Sequence, residues 1–232
     1  DEYKKISKKL KKSLAHINIT GGEPFLRKDI DVIIGNFISD CNLSSVVIST
    51  NGSYPKRIKE FIHNVCKKNI NTKFVFQFSI DSFPEEHNKI RKIPGLFSKT
   101  IESYEIVKNS YKNCIATCNL TISEQNCHNI EDVYNFLVKE KKIETINPII
   151  VRNEGVFKIP NERKNKILNA YKKITNLITS DIDKNKLRGF SNFDLIGDVL
   201  NSKNKISYDM TINSYIQPKF FTSCVAGRIF GV

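Results

Sequence analysis

No run of 18 or more apolar residues occurs in this 232-residue sequence, which excludes an ordinary transmembrane helix. Its start, Asp1-Glu2-Tyr3-Lys4-Lys5, lacks both the apolar core of a secretion signal and an initiator Met. The other end, Arg228-Ile229-Phe230-Gly231-Val232, stops inside a strand-like run, so both ends read as cut. No repeat longer than a strand–helix unit stands out, which excludes solenoids and propellers. Aromatic residues interleaved with basic ones, the pattern of a single-strand nucleic-acid groove, are also missing.

What is present is an ordinary globular composition, 40% hydrophobic and 26% charged. The length suits one sizeable domain, or one plus an appendage, able to bury its core without staples. The formal charge of +13 raises nucleic acid or an acidic partner. Most of that excess is Lys scattered among Asn and Ile. Its densest patch, Lys4, Lys5, Lys8, Lys9, Lys11 and Lys12, falls at helical spacing as a solvated face, so nucleic acid stays a secondary reading. Six cysteines, Cys41, Cys66, Cys114, Cys118, Cys127 and Cys224, in a chain without a secretion signal read as reduced thiols and a cytoplasmic location. Cys114-x3-Cys118 has the look of half a metal motif, but it sits in an apolar run where buried free cysteines are the simpler reading.

The periodicity predicts helices over residues 2–14, 27–39, 55–69, 97–110, 130–141 and 161–178. It predicts strands over residues 16–20, 45–50, 73–80, 113–123 and 145–151. Strand and helix alternate five times, which implies a parallel sheet with crossover helices. Parity then separates an open doubly wound sheet from a barrel. One face is repeatedly polar: Asn18 and Thr20; Ser49 and Asn51; Gln77, Ser79 and Asp81; Thr117, Asn119 and Thr121. The other carries Ile17 and Ile19, Val46 and Ile48, and Phe74, Phe76, Phe78 and Ile80. A central doubly wound strand would be apolar on both faces. The pattern instead predicts a wide or incomplete α/β barrel around a polar ligand, bound at the C-terminal strand ends. Residues 181–223 are less regular, with a short helix over 193–200 and a strand expected within 203–215.

The chemistry-bearing residues gather at four of these strand ends. The first gives Thr20-Gly21-Gly22-Glu23-Pro24, where the glycines allow a tight turn and close approach, and proline stops the strand. The second gives Ser49-Thr50-Asn51-Gly52, read as a βα loop rather than a hairpin because a helix follows. The third gives Ser79-Ile80-Asp81-Ser82 and then His87-x3-Arg91. The fourth gives Thr121-Ile122-Ser123 and Asn126. Each alone is common turn chemistry. Together they form a polar ring with acid, base and neutral donors, suited to a zwitterion. Glu23 and the Gly21–Gly22 carbonyls would take an ammonium. Arg91 would take a carboxylate bidentately, with Ser49, Asn51 and Ser79 on hydroxyls or carboxylate.

In this order the motifs resemble the radical S-adenosylmethionine (radical SAM) superfamily, over about residues 15–155. The resemblance implies a partial (β/α)6 TIM-like barrel with five βα units present and the first strand missing. It implies SAM bound by Gly21, Gly22, Glu23 and Pro24, Ser49 and Asn51. Ser79 and Asp81 would lie near ribose and carboxylate, Arg91 on the carboxylate, and the adenine near Ile122 and Ile149. The activity implied is reductive cleavage of SAM to a 5′-deoxyadenosyl radical that abstracts hydrogen, with electrons from a flavodoxin- or ferredoxin-type donor. The family's [4Fe–4S] cluster needs a Cys-x3-Cys-x2-Cys loop upstream of Gly-Gly-Glu-Pro, and residues 1–20 contain none, so its ligands are expected before Asp1 and this segment alone is not expected to be catalytic. Phe221-Thr222-Ser223-Cys224-Val225-Ala226-Gly227 resembles the entry to a SPASM or twitch-type auxiliary-cluster extension, with Cys224 as its first ligand. The expected organisation is a barrel core over 1–180 and a linker plus the start of that extension over 181–232. Such an extension implies a peptide or protein substrate, as in peptide or sulfatase-type maturation. The alternatives are an RNA-modifying member of the family and a degenerate barrel that binds without catalysis.

Overall fold

A computed structural model describes residues 2–152, 159–189 and 195–217. Five strands, β1 (His16–Ile19), β2 (Ser45–Thr50), β3 (Lys73–Ser79), β4 (Cys114–Ile122) and β5 (Ile146–Ile150), form one sheet in the order β1-β2-β3-β4-β5. Every pairing is parallel. The helices are α1 (Glu2–Leu10), α2 (Ile30–Cys41), α3 (Pro55–Phe61), α4 (Pro84–Arg91), α5 (Leu96–Lys108), α6 (Ile130–Asn135), α7 (Asn161–Asp183) and α8 (Leu195–Ile216). Among the described residues the strand order never reverses, so they contain no topological switch point. A sequential parallel sheet is the arrangement of a barrel segment, not of a doubly wound sheet.

The parity expected from the sequence is present in the burial. Val46, Ile48, Phe74, Phe76, Phe78, Cys118, Leu120, Ile122 and Ile146 are buried in one core cluster on one face. Ser49, Gln77, Ser79, Asn119, Thr121 and Asn147 lie half-buried on the other. The cross-strand register aligns these rows: Ser49 beside Gln77, Ser79 beside Asn119, and Asn119 beside Asn147. The core is largely aromatic. Phe25 stacks on Phe76 with ring centroids 6.3 Å apart, Phe61 meets Phe25, Phe74 and Phe76 edge-on, and Tyr104 meets Phe78 edge-on. Such contacts contribute roughly 0.5–1.5 kcal/mol each beyond buried area.

Four elements depart from the expectation. Residues 84–91, where the periodicity assigns no helix, form α4, opened by Pro84 in its first turn and closed by Lys92 in the left-handed region (φ 56°). The ends of the helices begun by α3 and α6 widen into π-turns, Ile62–Cys66 and Phe136–Glu140. The strand expected within 203–215 is instead the body of α8. Asn201, Tyr208 and Ile212 recur at helical spacing, and Tyr208 packs against Tyr171 of α7 with ring centroids 6.4 Å apart. Among the described residues no helix is long and apolar enough to cross a membrane.

Candidate functional site

The Gly-Gly-Glu-Pro loop leaves β1 and is fixed at two points. Pro24 and Phe25 are buried, and Phe25 anchors a short 3-10 turn, Pro24–Leu26, in the aromatic core. Glu23 caps that turn: its Oε1 accepts from the Phe25 N–H (3.1 Å) and the Thr50 hydroxyl (2.7 Å). Its Oε2 accepts from the Asn51 N–H (2.7 Å). The carboxylate is therefore a strut tying the loop to the end of β2. This differs from the expectation of an acid presented to a ligand, because three chain donors already hold it. Ahead of these two anchors, Gly21 has φ +143°, where a side chain would be strained, and a Cβ at Gly21 or Gly22 would meet only open space.

The β2 end is clamped from α5. The Thr100 hydroxyl donates to the Asn51 carbonyl (2.6 Å) and the Ser103 hydroxyl to the Gly52 carbonyl (2.8 Å). Gly52 (φ +74°) is required here, since a Cβ would come within 2.8 Å of the Thr100 Cα. Asn51 Oδ1 accepts from the Ser53 N–H (2.8 Å), closing the turn. Ser49 donates to Gln77 Oε1 (3.2 Å) on the polar face.

The β3 end carries a buried acid paired with a half-buried base. Asp81 is 3% exposed, and its Oδ2 accepts from Arg91 Nε at 2.6 Å. Its Oδ1 accepts from the Thr121 N–H (3.3 Å) and its backbone carbonyl from Asn126 Nδ2 (2.6 Å). Asn126 also bonds the Thr121 carbonyl (2.8 Å) and the Ser123 N–H (2.8 Å), so one buried amide joins the ends of β3 and β4. The terminal nitrogens of Arg91 have no hydrogen-bond partner among the described residues, and its side chain is 31% exposed.

These parts meet around a cavity of about 310 Å³. Gly21, Gly22, Ser49, Asn51, Ser79 and Arg91 line it, together with Thr20, Thr50, Ile93 and Leu96. Six expected residues thus converge on one hollow. Glu23 and Asp81 stand behind its wall. Pro24 is buried, and the Ile122 side chain is fully buried in the core rather than facing the polar side; Ile149, its neighbour in sequence expectation, is 41% exposed. Beyond β5, Arg152 is exposed, while Asn153 and Glu154 lie outside the described residues, as does Cys224. Larger hollows of about 570 and 430 Å³ lie toward the opposite ends of β4 and β5. They share Glu144, which is closed by Lys108 (3.0 Å) and Arg188 (2.9 Å), and they contain none of the expected site residues.

Sequence reasoning missed Thr50, Thr100 and the scaffold role of His87. Thr50 had a signal: it is a hydroxyl on the apolar parity of Val46 and Ile48, where a polar group needs a specific partner. Among the described residues no group of His, Cys, Asp or Glu can hold a metal ion. Cys114 and Cys118 are buried free thiols, and burial pushes the Cys118 thiol well above its usual range.

The sequence model of the Radical SAM superfamily matches residues 1–137. Among solved structures, "Native anSMEcpe with bound AdoMet" is similar, with a TM-score of 0.59 and 18% identity over 83% of this chain and 54% of that one. "Native anSMEcpe with bound AdoMet and Kp18Cys peptide" gives a TM-score of 0.57 with the same identity and coverage. The chain thus spans about half the length of these relatives. No curated protein matches the chain.

Proposed function

The chain belongs to the radical SAM superfamily, and we propose that the cavity at its C-terminal strand ends holds the methionine end of S-adenosylmethionine. One observation carries this: among the described residues Arg91 is gripped through Nε alone, leaving its two terminal nitrogens free, and it lines the same cavity as Gly21 and Gly22. A zwitterion fits that pair. The guanidinium fork takes the carboxylate in two parallel bonds. The glycine carbonyls take the ammonium at close range, with Glu23 as the strut that fixes them and the nearest negative charge behind. Ser49, Asn51 and Ser79 supply neutral hydrogen bonds along the wall, and the backbone at Ile122 and the exposed Ile149 mark the side toward the adenine.

The family's [4Fe–4S] cluster finds no ligand set among the described residues, so its thiolates come from elsewhere in the protein. What the bound cofactor supplies in this family is a 5′-deoxyadenosyl radical for hydrogen abstraction; the chain's own part is binding and orientation. The one-electron donor is of flavodoxin or ferredoxin type. The substrate is a peptide or protein, supported by the peptide named in the anSMEcpe structure and by the neutral amide face of Gln77, Asn119 and Asn147. The barrel core covers 1–180, and 181–232 is a linker and the beginning of an auxiliary-cluster extension of the SPASM or twitch type, with Cys224 as a ligand.

The test is anaerobic reconstitution of the full-length protein with iron and sulfide, reduction, and assay for 5′-deoxyadenosine. SAM cleavage is expected, and Arg91→Leu weakens SAM binding by about tenfold or more, the worth of a charged hydrogen bond. A loaded cluster without cleavage would favour the non-catalytic barrel, and unchanged affinity in Arg91→Leu would remove the cavity assignment.

A further inference from the structure

His87 is fully buried on α4, yet nothing in the proposed chemistry uses it. Its Nδ1 lies 3.2 Å from the Asp81 backbone nitrogen and accepts that N–H. An accepting Nδ1 is bare, so the ring proton sits on Nε2. Nε2 is itself buried and has no hydrogen-bond partner among the described residues. An orphaned buried donor is destabilising, and an apolar side chain would fill the same space against Phe97 without that penalty. The imidazole is therefore present for what Nδ1 does.

Asp81 explains it. The residue follows the last pairing of β3, where Ile80 N–H still reaches the Asn119 carbonyl at 3.1 Å. One residue on, the Asp81 N–H bonds His87 instead of a strand carbonyl. Its four polar atoms are then held by four different residues: N–H by His87, C=O by Asn126, Oδ1 by Thr121 and Oδ2 by Arg91. His87 and Arg91 are four residues apart on α4, hence on one helix face. The helix thus reaches Asp81 twice, once as acceptor and once as donor, and the second contact sets which end of the guanidinium is left free.

We propose that His87 is a positioning residue for cofactor recognition: by accepting the Asp81 N–H it fixes the carboxylate that aims the free end of Arg91 at the carboxylate of SAM. The inference rests on the assignment of the cavity to SAM, and it adds that selectivity for the carboxylate is built one residue further back. The same network predicts that the effect is confined to the carboxylate end, because neither the Gly21–Gly22 backbone nor Ser49 touches it.

The experiment compares SAM with decarboxylated SAM on the full-length protein. Wild type is expected to prefer SAM by about tenfold or more, the value of the Arg91–carboxylate bonds. His87→Leu fills the space but cannot accept; it loses most of that preference, through weaker SAM binding and unchanged binding of the decarboxylated analogue. His87→Asn restores an acceptor oxygen and recovers the preference. Equal weakening of both ligands in His87→Leu, or a preference that survives it, overturns the proposal. No preference in wild type overturns the cavity assignment, and this inference with it. A measurement on the wild type stands apart from any folding defect: the imidazole nitrogen resonances of labelled protein should show His87 with a bare Nδ1. A protonated Nδ1 overturns the proposal outright.

Discussion

Glu23 and His87 show how a polar residue changes character when its partners are the chain itself. From sequence, Glu23 is an acid beside two glycines, and a ligand is its natural partner. In the fold its two oxygens hold three donors from three positions. The neighbours of Glu23 were legible as a site because turn chemistry stands at a strand end. The division of labour between lining and strut was not, because it depends on Thr50 and Phe25, whose side chains point into the core. His87 likewise read as half of a His-x3-Arg motif, and its burial follows only from the existence of α4. Desolvation, with some help from Arg91 and opposed by Asp81, lowers its pKa to about 4. The unfolded chain then takes up a proton near pH 6.5 before the folded one does, so stability is full above that pH and is lost as pH falls toward 4. Between pH 7 and pH 5 this group should remove about 2 kcal/mol. Urea unfolding at the two pH values, compared with His87→Asn, checks it: the variant should lack this part of the drop.

At the scale of elements, the strands were the legible part. Each shows period-two alternation, and β2 runs over the expected residues because Ser45 and Thr50 are flanked by clear turn signals. α4 was hidden for a physical reason. Its sequence, Pro84-Glu85-Glu86-His87-Asn88-Lys89-Ile90-Arg91, has almost no apolar stripe, and its buried contact is an imidazole. The π-turns were hidden because one extra residue in a helix leaves no mark in composition. α8 was misread because β-branched residues at 206, 211 and 212 suggest strand locally, whereas packing on α7 selects the helix. The C-terminus of α4 offers a clean test of local strain. Lys92 adopts φ 56° to close the helix, donating its N–H to the Asn88 and Lys89 carbonyls. Lys92→Gly should raise stability by about 0.5–1 kcal/mol, by releasing the left-handed penalty against some gain in unfolded-chain freedom. Denaturant midpoints of the two proteins measure it directly.

The whole molecule is a singly wound wall: apolar and aromatic toward its helices, amide and hydroxyl toward its hollow. That asymmetry could be read from the sequence by parity alone, since it repeats at Ser49, Gln77, Ser79 and Asn119. The charge of the molecule is distributed differently. Lys4, Lys5, Lys8, Lys9, Lys11 and Lys12 are all exposed on and just after α1, far more densely than acids can neutralise. Self-repulsion should weaken the fold at low ionic strength. Raising sodium chloride from about 10 to about 150 mM is expected to raise stability by on the order of 1 kcal/mol, read as a higher thermal midpoint. A midpoint that does not move would show that local ion pairs, such as Lys173 with Glu131 at 2.8 Å, already offset the excess.

The polar face also sets the terms on which anything enters. A sheet face of half-buried Gln77, Ser79, Asn119 and Asn147 is a hydrated one, because such amides and hydroxyls keep water where a leucine-covered face would stay dry. A ligand arriving there gains little from burying oil-like surface. It must replace solvent hydrogen bonds one for one, and a partner that leaves any of those amides unmatched is penalised. Discrimination in this barrel is therefore a matter of desolvation, and its wall rejects near-misses by what they fail to bond.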